Sequence, residues 1–170
     1  IHVGHFTHRR LQYQLVDTPG LLDRPMEKRN DIELQAISAL EHLGSLVLFL
    51  IDESQDCGTS IEEQLNLLED VKSLLPGTDL LIVSSKADLF EPRSENWDEV
   101  KEFEEQWIED GAEGEPELPL LYDMNGRVTM SALENVGMES MKLEIVRRVK
   151  DSNIYDPMEL PEGWYRSDLD

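Results

Sequence analysis

The sequence predicts an α/β fold, a mostly parallel sheet with helices on both faces. Leu46–Ile51 and Leu80–Val83 are continuous apolar runs, too short for most helices, and read as strands covered on both sides. An amphipathic helical pattern separates them, and strand, helix, strand in this rhythm makes right-handed crossovers with parallel pairing. Residues able to do chemistry stand at the carboxyl ends of successive strands, where ligands of such sheets bind.

Composition limits what such a fold can do. At 170 residues the chain fits one domain and can bury a core. It carries 37 Asp and Glu against 15 Lys and Arg, a net charge of -22, yet 39% of its residues are apolar and arranged periodically, which argues against disorder. The acid excess reads first as a heavily solvated surface, as in proteins that work at high salt, and second as a surface for basic partners. Phosphates would be repelled, so direct nucleic acid binding by this segment is not expected. The single Cys57 cannot form an intrachain disulfide and suits a reducing compartment. No apolar run approaches a membrane span and there is no signal peptide pattern, so a cytoplasmic protein without a membrane partner is expected.

The elements follow in order. Ile1–Phe6 and Leu11–Asp17 are β-like runs joined by Thr7-His8-Arg9-Arg10, an antiparallel hairpin at a sheet edge. His2, His5 and His8 tempt a metal reading, but a spacing of three on a strand sends side chains to opposite faces. Leu21 to Arg29 reads as a mobile loop. Asn30 with Glu33 opens a helix whose stripe is Ile32, Ala36, Leu40 and Leu43, and Gly44 stops it. Ser60 with Glu63 forms a capping box for a helix with Ile61, Leu65, Leu68 and Leu75 inward, ended by Pro76-Gly77. After Leu80–Val83, Asn96 and Glu99 open a helix with Trp97, Val100, Phe103 and Trp107 inward. An acidic Gly- and Pro-containing loop lies between Glu109 and Pro119, and Arg127–Ala132 is a short last strand. The final helix runs from about Gly137 to Lys150, with Met138, Met141, Ile145 and Val149 inward and Arg147, Arg148 and Lys150 at its C-terminus, where the helix dipole favours cations. The domain is placed at residues 1–150. The tail, 151–170, has no period, and disorder, a packed extension and the start of a following segment all stay open.

Three short motifs carry chemistry. Asp17-Thr18-Pro19-Gly20 is a DxxG at a strand end, with a carboxylate for a metal ion or phosphate and a glycine that lets the backbone approach. Ser85-Lys86-Ala87-Asp88 is a [NT]KxD-like element with serine in first position. Guanine presents N1–H and a 2-amino group side by side; one carboxylate accepts both, which adenine cannot match. Lys86 would lay its methylene stem along the base. Ser131-Ala132, at the end of the last strand, offers backbone N–H to the guanine O6 and a small side chain beside it.

The run Val16 to Pro25, then Glu27, Arg29-Asn30 and Ile32 to Ile37, together with Asp56 to Leu65, resembles the Nog (nucleolar GTP-binding protein) branch of the Obg-like GTPases in its archaeal form. The resemblance covers about Ile1 to Lys150 and is specific between Val16 and Asp88. It implies a Ras-like P-loop NTPase G domain, binding of GTP and GDP, Mg²⁺ held by Asp17 through water, hydrolysis of GTP, and a role with the large ribosomal subunit or its precursor. The acidic composition would suit a haloarchaeal source. In this resemblance Asp17, Thr18, Pro19 and Gly20 face the metal and the γ-phosphate, and Ser85, Lys86, Asp88, Ser131 and Ala132 face guanine. Ser85 stands where the family has asparagine, which should loosen the motif's support. No GxxxxGK[ST] occurs in the sequence, so the chain is expected to be the part of the domain from switch II to the last helix, without the P-loop strand. Leu21 follows the DxxG where a catalytic glutamine stands in other GTPases, so no catalytic residue is assigned and turnover should be slow without a partner. A second reading, from another class, is a degenerate G-like module that binds a partner without hydrolysis. A phosphotransfer receiver is set aside because its acidic pocket after the first strand is missing.

Overall fold

The computed structural model describes residues 2–17, 46–112 and 116–151. Strands β1 (His2–His8) and β2 (Leu11–Asp17) form the expected antiparallel hairpin, in register from His2 opposite Asp17 to His8 opposite Leu11, but the first strand runs on through Thr7 and His8, and among the described residues the pair is a sheet of its own rather than the edge of a larger one. Arg9 and Arg10 turn it with φ of 47° and 67°, the left-handed pair that matches the twist of a two-residue hairpin. Phe6 and Tyr13 face each other across the ladder with ring centroids 5.0 Å apart. Tyr13 is buried and ties the hairpin to the core, whereas Leu11 and Leu15 are exposed.

A second sheet contains β3 (Leu46–Asp52), β4 (Asp79–Ser85) and β5 (Val128–Thr129), parallel and in that order. Alternation along the strands feeds two cores. On one face Phe49 and Ile51 meet Leu68, Val71 and Leu75 from α1 (Ile61–Leu74) and its cap. On the other Leu81, Val83 and Met130 meet Met141, Ile145 and Val149 from α3 (Met138–Asp151). Helices therefore lie on both faces, as the sequence predicts. Each fully buried aliphatic side chain here contributes roughly 1.5–3 kcal/mol. A third cluster, Ala87, Trp97, Val100, Leu121 and Val136, seats α2 (Trp97–Glu109) beside the carboxyl ends of the strands.

The capping box of α1 forms as expected: Ser60 Oγ accepts from Glu63 N–H, and Ser60 N–H donates to Glu63 Oε2 at 2.8 Å. Helix α2 opens after Asn96 as expected, and the Asn96 side chain, rather than capping it, donates from Nδ2 to the Leu120 carbonyl at 2.7 Å. Two expectations need correction. Phe103 is 49% exposed rather than inward, and its neighbour Glu104 is buried in its place. The helix turns that way because Glu104 has partners to satisfy: its carboxylate accepts from the N–H of Gly137 and from the N–H and Oγ of Ser140, all at 2.8 Å. The last strand is Val128–Thr129 alone, since Ser131 leaves the parallel ladder to exchange backbone bonds with Val136. The helix expected over Asn30–Leu43 and the 152–170 part of the tail lie outside the described residues. Among the described residues no helix is long and apolar enough to cross a membrane.

Candidate functional site

The site forms where β4 and β5 end together. Lys86, directly after β4, adopts the left-handed conformation (φ 58°, ψ 42°) and throws the chain into the 3₁₀ turn Ala87–Leu89. Ala87 N–H donates to the Met130 carbonyl, Met130 N–H to the Ser84 carbonyl, and Thr129 Oγ1 to that same carbonyl at 2.6 Å. The two strand ends are thus laced before any ligand arrives. The Ser131 hydroxyl, fully buried, donates to Asp88 Oδ1 at 2.5 Å and accepts from Glu134 N–H at 3.0 Å. Ala132 stands exposed next to it. Ser85 Oγ donates to the Ile51 carbonyl, fastening the start of the motif to β3. Five of the nine sequence-predicted residues, Ser85, Lys86, Asp88, Ser131 and Ala132, are therefore gathered at one end of one sheet. Asp17 stands exposed at the end of β2, in the other sheet, and Thr18, Pro19 and Gly20 lie outside the described residues.

Two groups of side chains not singled out from the sequence complete this end of the sheet. Lys86 Nζ lies 2.7 Å from Asp52 Oδ2, 3.3 Å from Ser54 Oγ and 3.7 Å from Asp56. Burial acts to raise the Asp52 pKa, but the bonds from Lys86 and Ser54 outweigh it and hold the carboxyl below its ordinary value. The same bond to Asp52 raises the Lys86 pKa, so the pair is ionic at neutral pH. Behind it Glu53 meets Arg127 Nη1 at 2.8 Å, while Asp123 accepts from Ser84 Oγ and from the N–H groups of Asn125 and Arg127, each at 2.8 Å. Burial first and the Asp123 charge second push the Glu53 pKa up, against the opposing pull of Arg127. A cleft of 380 Å³ opens here between Glu53, Ser54, Leu89, Phe90 and Asn125. Asp52 had a legible signal, an acidic residue ending an apolar strand, the same one that marks Asp17. Asp123 and Arg127 were not singled out: the turn in which Asp123 accepts from the Asn125 and Arg127 N–H groups is local, but the bonds that tie the two residues to the sheet, to Ser84 and Glu53, come from 39 and 74 positions away.

Comparison with known proteins fits this geometry. A family model described as nucleolar GTP-binding protein 1 (NOG1) matches residues 31–88. A nucleolar GTP-binding protein 1 of Drosophila melanogaster is 46% identical over 92 residues, covering 54% of this chain and 14% of that relative. One from Arabidopsis thaliana is 38% identical over 154 residues, covering 89% of this chain and 22% of the relative. A crystal structure titled as a nucleolar GTP-binding protein 1 of Plasmodium falciparum is 34% identical, with a TM-score of 0.62 over 89% of this chain and 71% of its own. The chain belongs to the nucleolar GTP-binding protein 1 family. Its α/β architecture, a parallel three-stranded sheet with helices, is consistent with the family's G-domain fold. The NOG1 relatives are much longer, this chain spanning about one seventh of the Drosophila protein and about one fifth of the Arabidopsis one.

Proposed function

We propose that this NOG1-family chain supplies the guanine-recognising part of a GTP-binding domain, that the complete domain hydrolyses GTP to GDP and phosphate, and that it serves in assembly of the large ribosomal subunit. The observation that carries the reading is the Asp88 carboxylate, held by Ser131 from the neighbouring strand end and oriented before any base arrives. A carboxylate offers about four lone-pair sites, so the bond from Ser131 leaves room for the guanine N1–H and 2-amino group. Charge-assisted bonds of this kind contribute roughly 1.5–3 kcal/mol each, enough to prefer guanine over adenine. The Ser131 amide is committed to the Val136 carbonyl at 2.9 Å, which favours the Ala132 amide as the donor to the guanine O6. The name shared by the relatives supports the nucleotide and hints at the nucleolar counterpart of the ribosomal role.

Mg²⁺ takes one or two carboxylates and completes its shell with water and phosphate oxygens. Asp17, an exposed carboxylate at a strand end, fits that donor set and would hold the ion through water, with Thr18, Pro19 and Gly20 beside the phosphates. When bound, the ion neutralises developing phosphate charge. The sequence contains no GxxxxGK[ST], the loop that cradles the phosphates in such domains. The acid-rich composition and single cysteine support a cytoplasmic protein of a salt-rich cell, as in halophilic archaea.

The test is titration of a fluorescent guanine nucleotide with Mg²⁺ in high salt, with ATP as competitor, repeated on Asp88→Asn and on a chain extended upstream. Xanthine carries a carbonyl where guanine has the 2-amino group, so the asparagine amide should trade guanine for xanthine. Loss of guanine binding in Asp88→Asn with a gain for xanthine supports the reading. Equal competition by ATP, even in an extended chain with a P-loop, defeats it and favours the non-hydrolysing interaction module.

A further inference from the structure

Lys86 and Asp88 stand two positions apart at the end of β4, yet they turn to opposite neighbours: Asp88 to Ser131 beyond β5, and Lys86 to Asp52 at the end of β3. Given the guanine site proposed for Asp88, on which this rests, we infer that Asp52 is a positioning residue for the base. It fixes the Lys86 side chain so that the methylene stem forms one wall of the base site.

The first support is that Asp52 is itself held firmly. Its N–H donates to Gln64 Oε1 at 2.8 Å and its C=O accepts from Gln64 Nε2 at 3.0 Å. Oδ1 accepts from the N–H and the hydroxyl of Ser54, and Oδ2 accepts from Lys86 Nζ at 2.7 Å. The Asp52 side chain is 13% exposed and Gln64 is buried in α1, so the carboxylate is anchored in the core and not on the surface. The second is that the ammonium is already committed. It has three donors; Asp52 and Ser54 accept from it, and Asp56 lies 3.7 Å away. What Lys86 still offers a ligand is its stem, in a side chain that is 41% exposed. The third is that the stem is tied at its root as well as its tip. Lys86 has φ 58° and ψ 42°, and Ser85 Oγ, just before it, donates to the Ile51 carbonyl of β3 at 3.0 Å. A stem held at both ends has already lost the rotamer freedom that a bound base would otherwise have to remove.

The test is titration of fluorescent guanosine diphosphate, with Mg²⁺ at constant high salt, on the chain extended upstream and on its variants Asp52→Asn, Lys86→Met and the two combined. Asp52→Asn should weaken binding roughly three- to tenfold. Lys86→Met keeps a stem without a charge to tether and should weaken it similarly, and the combined variant should bind no more weakly than either alone, because Asp52 acts through Lys86. Ser54→Ala, which loosens the same carboxylate without touching its backbone bonds to Gln64, should weaken binding in the same sense, and only where Lys86 is present. Inosine lacks the 2-amino group, so inosine diphosphate should compete less well, and Asp52→Asn should leave the ratio of the two affinities unchanged. Additive losses in the combined variant overturn the inference, since Asp52 then supports the fold and not Lys86. Tighter binding by Asp52→Asn overturns it too, because the ion pair would then be a lock that the nucleotide has to break. A parent that does not prefer guanosine to inosine diphosphate defeats the guanine site and this inference with it, whereas a parent with that preference and an Asp52→Asn variant of equal affinity defeats the role of Asp52 alone.

Discussion

Replacing Glu104 by glutamine should destabilise the protein by about 2–3 kcal/mol. The carboxylate is 2% exposed and crosses from α2 to the first turn of α3, where helix N–H groups have no partner of their own. Oε1 accepts from the N–H and the hydroxyl of Ser140, and Oε2 from the N–H of Gly137. A glutamine can keep its oxygen on Ser140, but its NH₂ group then faces the Gly137 N–H, donor against donor. One charge-assisted bond is lost and one buried N–H is orphaned, hence the magnitude. Glu104→Ala strips all three bonds and leaves a void, and should cost more, about 3–5 kcal/mol. Urea unfolding at constant high salt, followed by far-ultraviolet circular dichroism, reads both. A Glu104→Gln variant within about 0.5 kcal/mol of the parent, or an alanine variant no worse than the glutamine one, would refute the capping role. Because Val136 and Gly137 position Ser131, guanine affinity should fall in parallel with stability.

Other expectations follow from the same geometry. Gly137→Ala should cost about 2 kcal/mol or more, since φ is +81° and a Cβ would sit 2.9 Å from the Thr129 carbonyl oxygen; thermal unfolding reads it. Ser131→Ala removes the donor that orients Asp88 and should weaken guanine nucleotide binding roughly tenfold, at a stability cost of about 1 kcal/mol, by fluorescence titration and urea unfolding. Asp52 has a depressed pKa, so its stabilisation is present above the unfolded carboxyl range and lost as pH falls through the folded value; Asp52→Asn should flatten that acid limb in urea midpoints taken from about pH 3 to about pH 7. Glu53 has the opposite sign. Its pKa is raised, so its favourable contribution is present at low pH and lost as pH rises through the folded value, and Glu53→Gln should lose less at neutral pH than Asp52→Asn.

What could be read in the sequence was what is local. Apolar runs and i, i+3, i+4 stripes placed β3, β4, α1 and α3 within a residue or two, and the Ser60 capping box was visible as a four-residue pattern. The Lys86 to Asp88 motif and Ser131-Ala132 were legible because strand ends fix where such residues stand. Long-range satisfaction was not legible. Nothing near Phe103 announces that its neighbour Glu104 will be drawn inward by a helix terminus 33 residues on, and nothing near Ser131 announces that Val136 will outbid the parallel ladder. A hydrophobic stripe records what can be buried; it cannot record which buried donor needs an acceptor.

Gln64, buried near the start of α1, has a consequence for the outer margin of the main sheet. Its side-chain oxygen accepts from Asp52 N–H at 2.8 Å and its nitrogen donates to Asp52 C=O at 3.0 Å, and also to the Thr59 carbonyl. An amide that satisfies both backbone groups of one strand residue does what a peptide unit of an adjoining strand would do. Ile51, one residue earlier, turns its carbonyl to Ser85 on β4, so the Asp52 pair points the other way, to the margin that no strand occupies among the described residues. Gln64 is therefore an end stop on that margin. Any strand laid beside β3 can zip along it only as far as Leu50 and must then lift away, opening its own backbone next to Lys86 and Asp52.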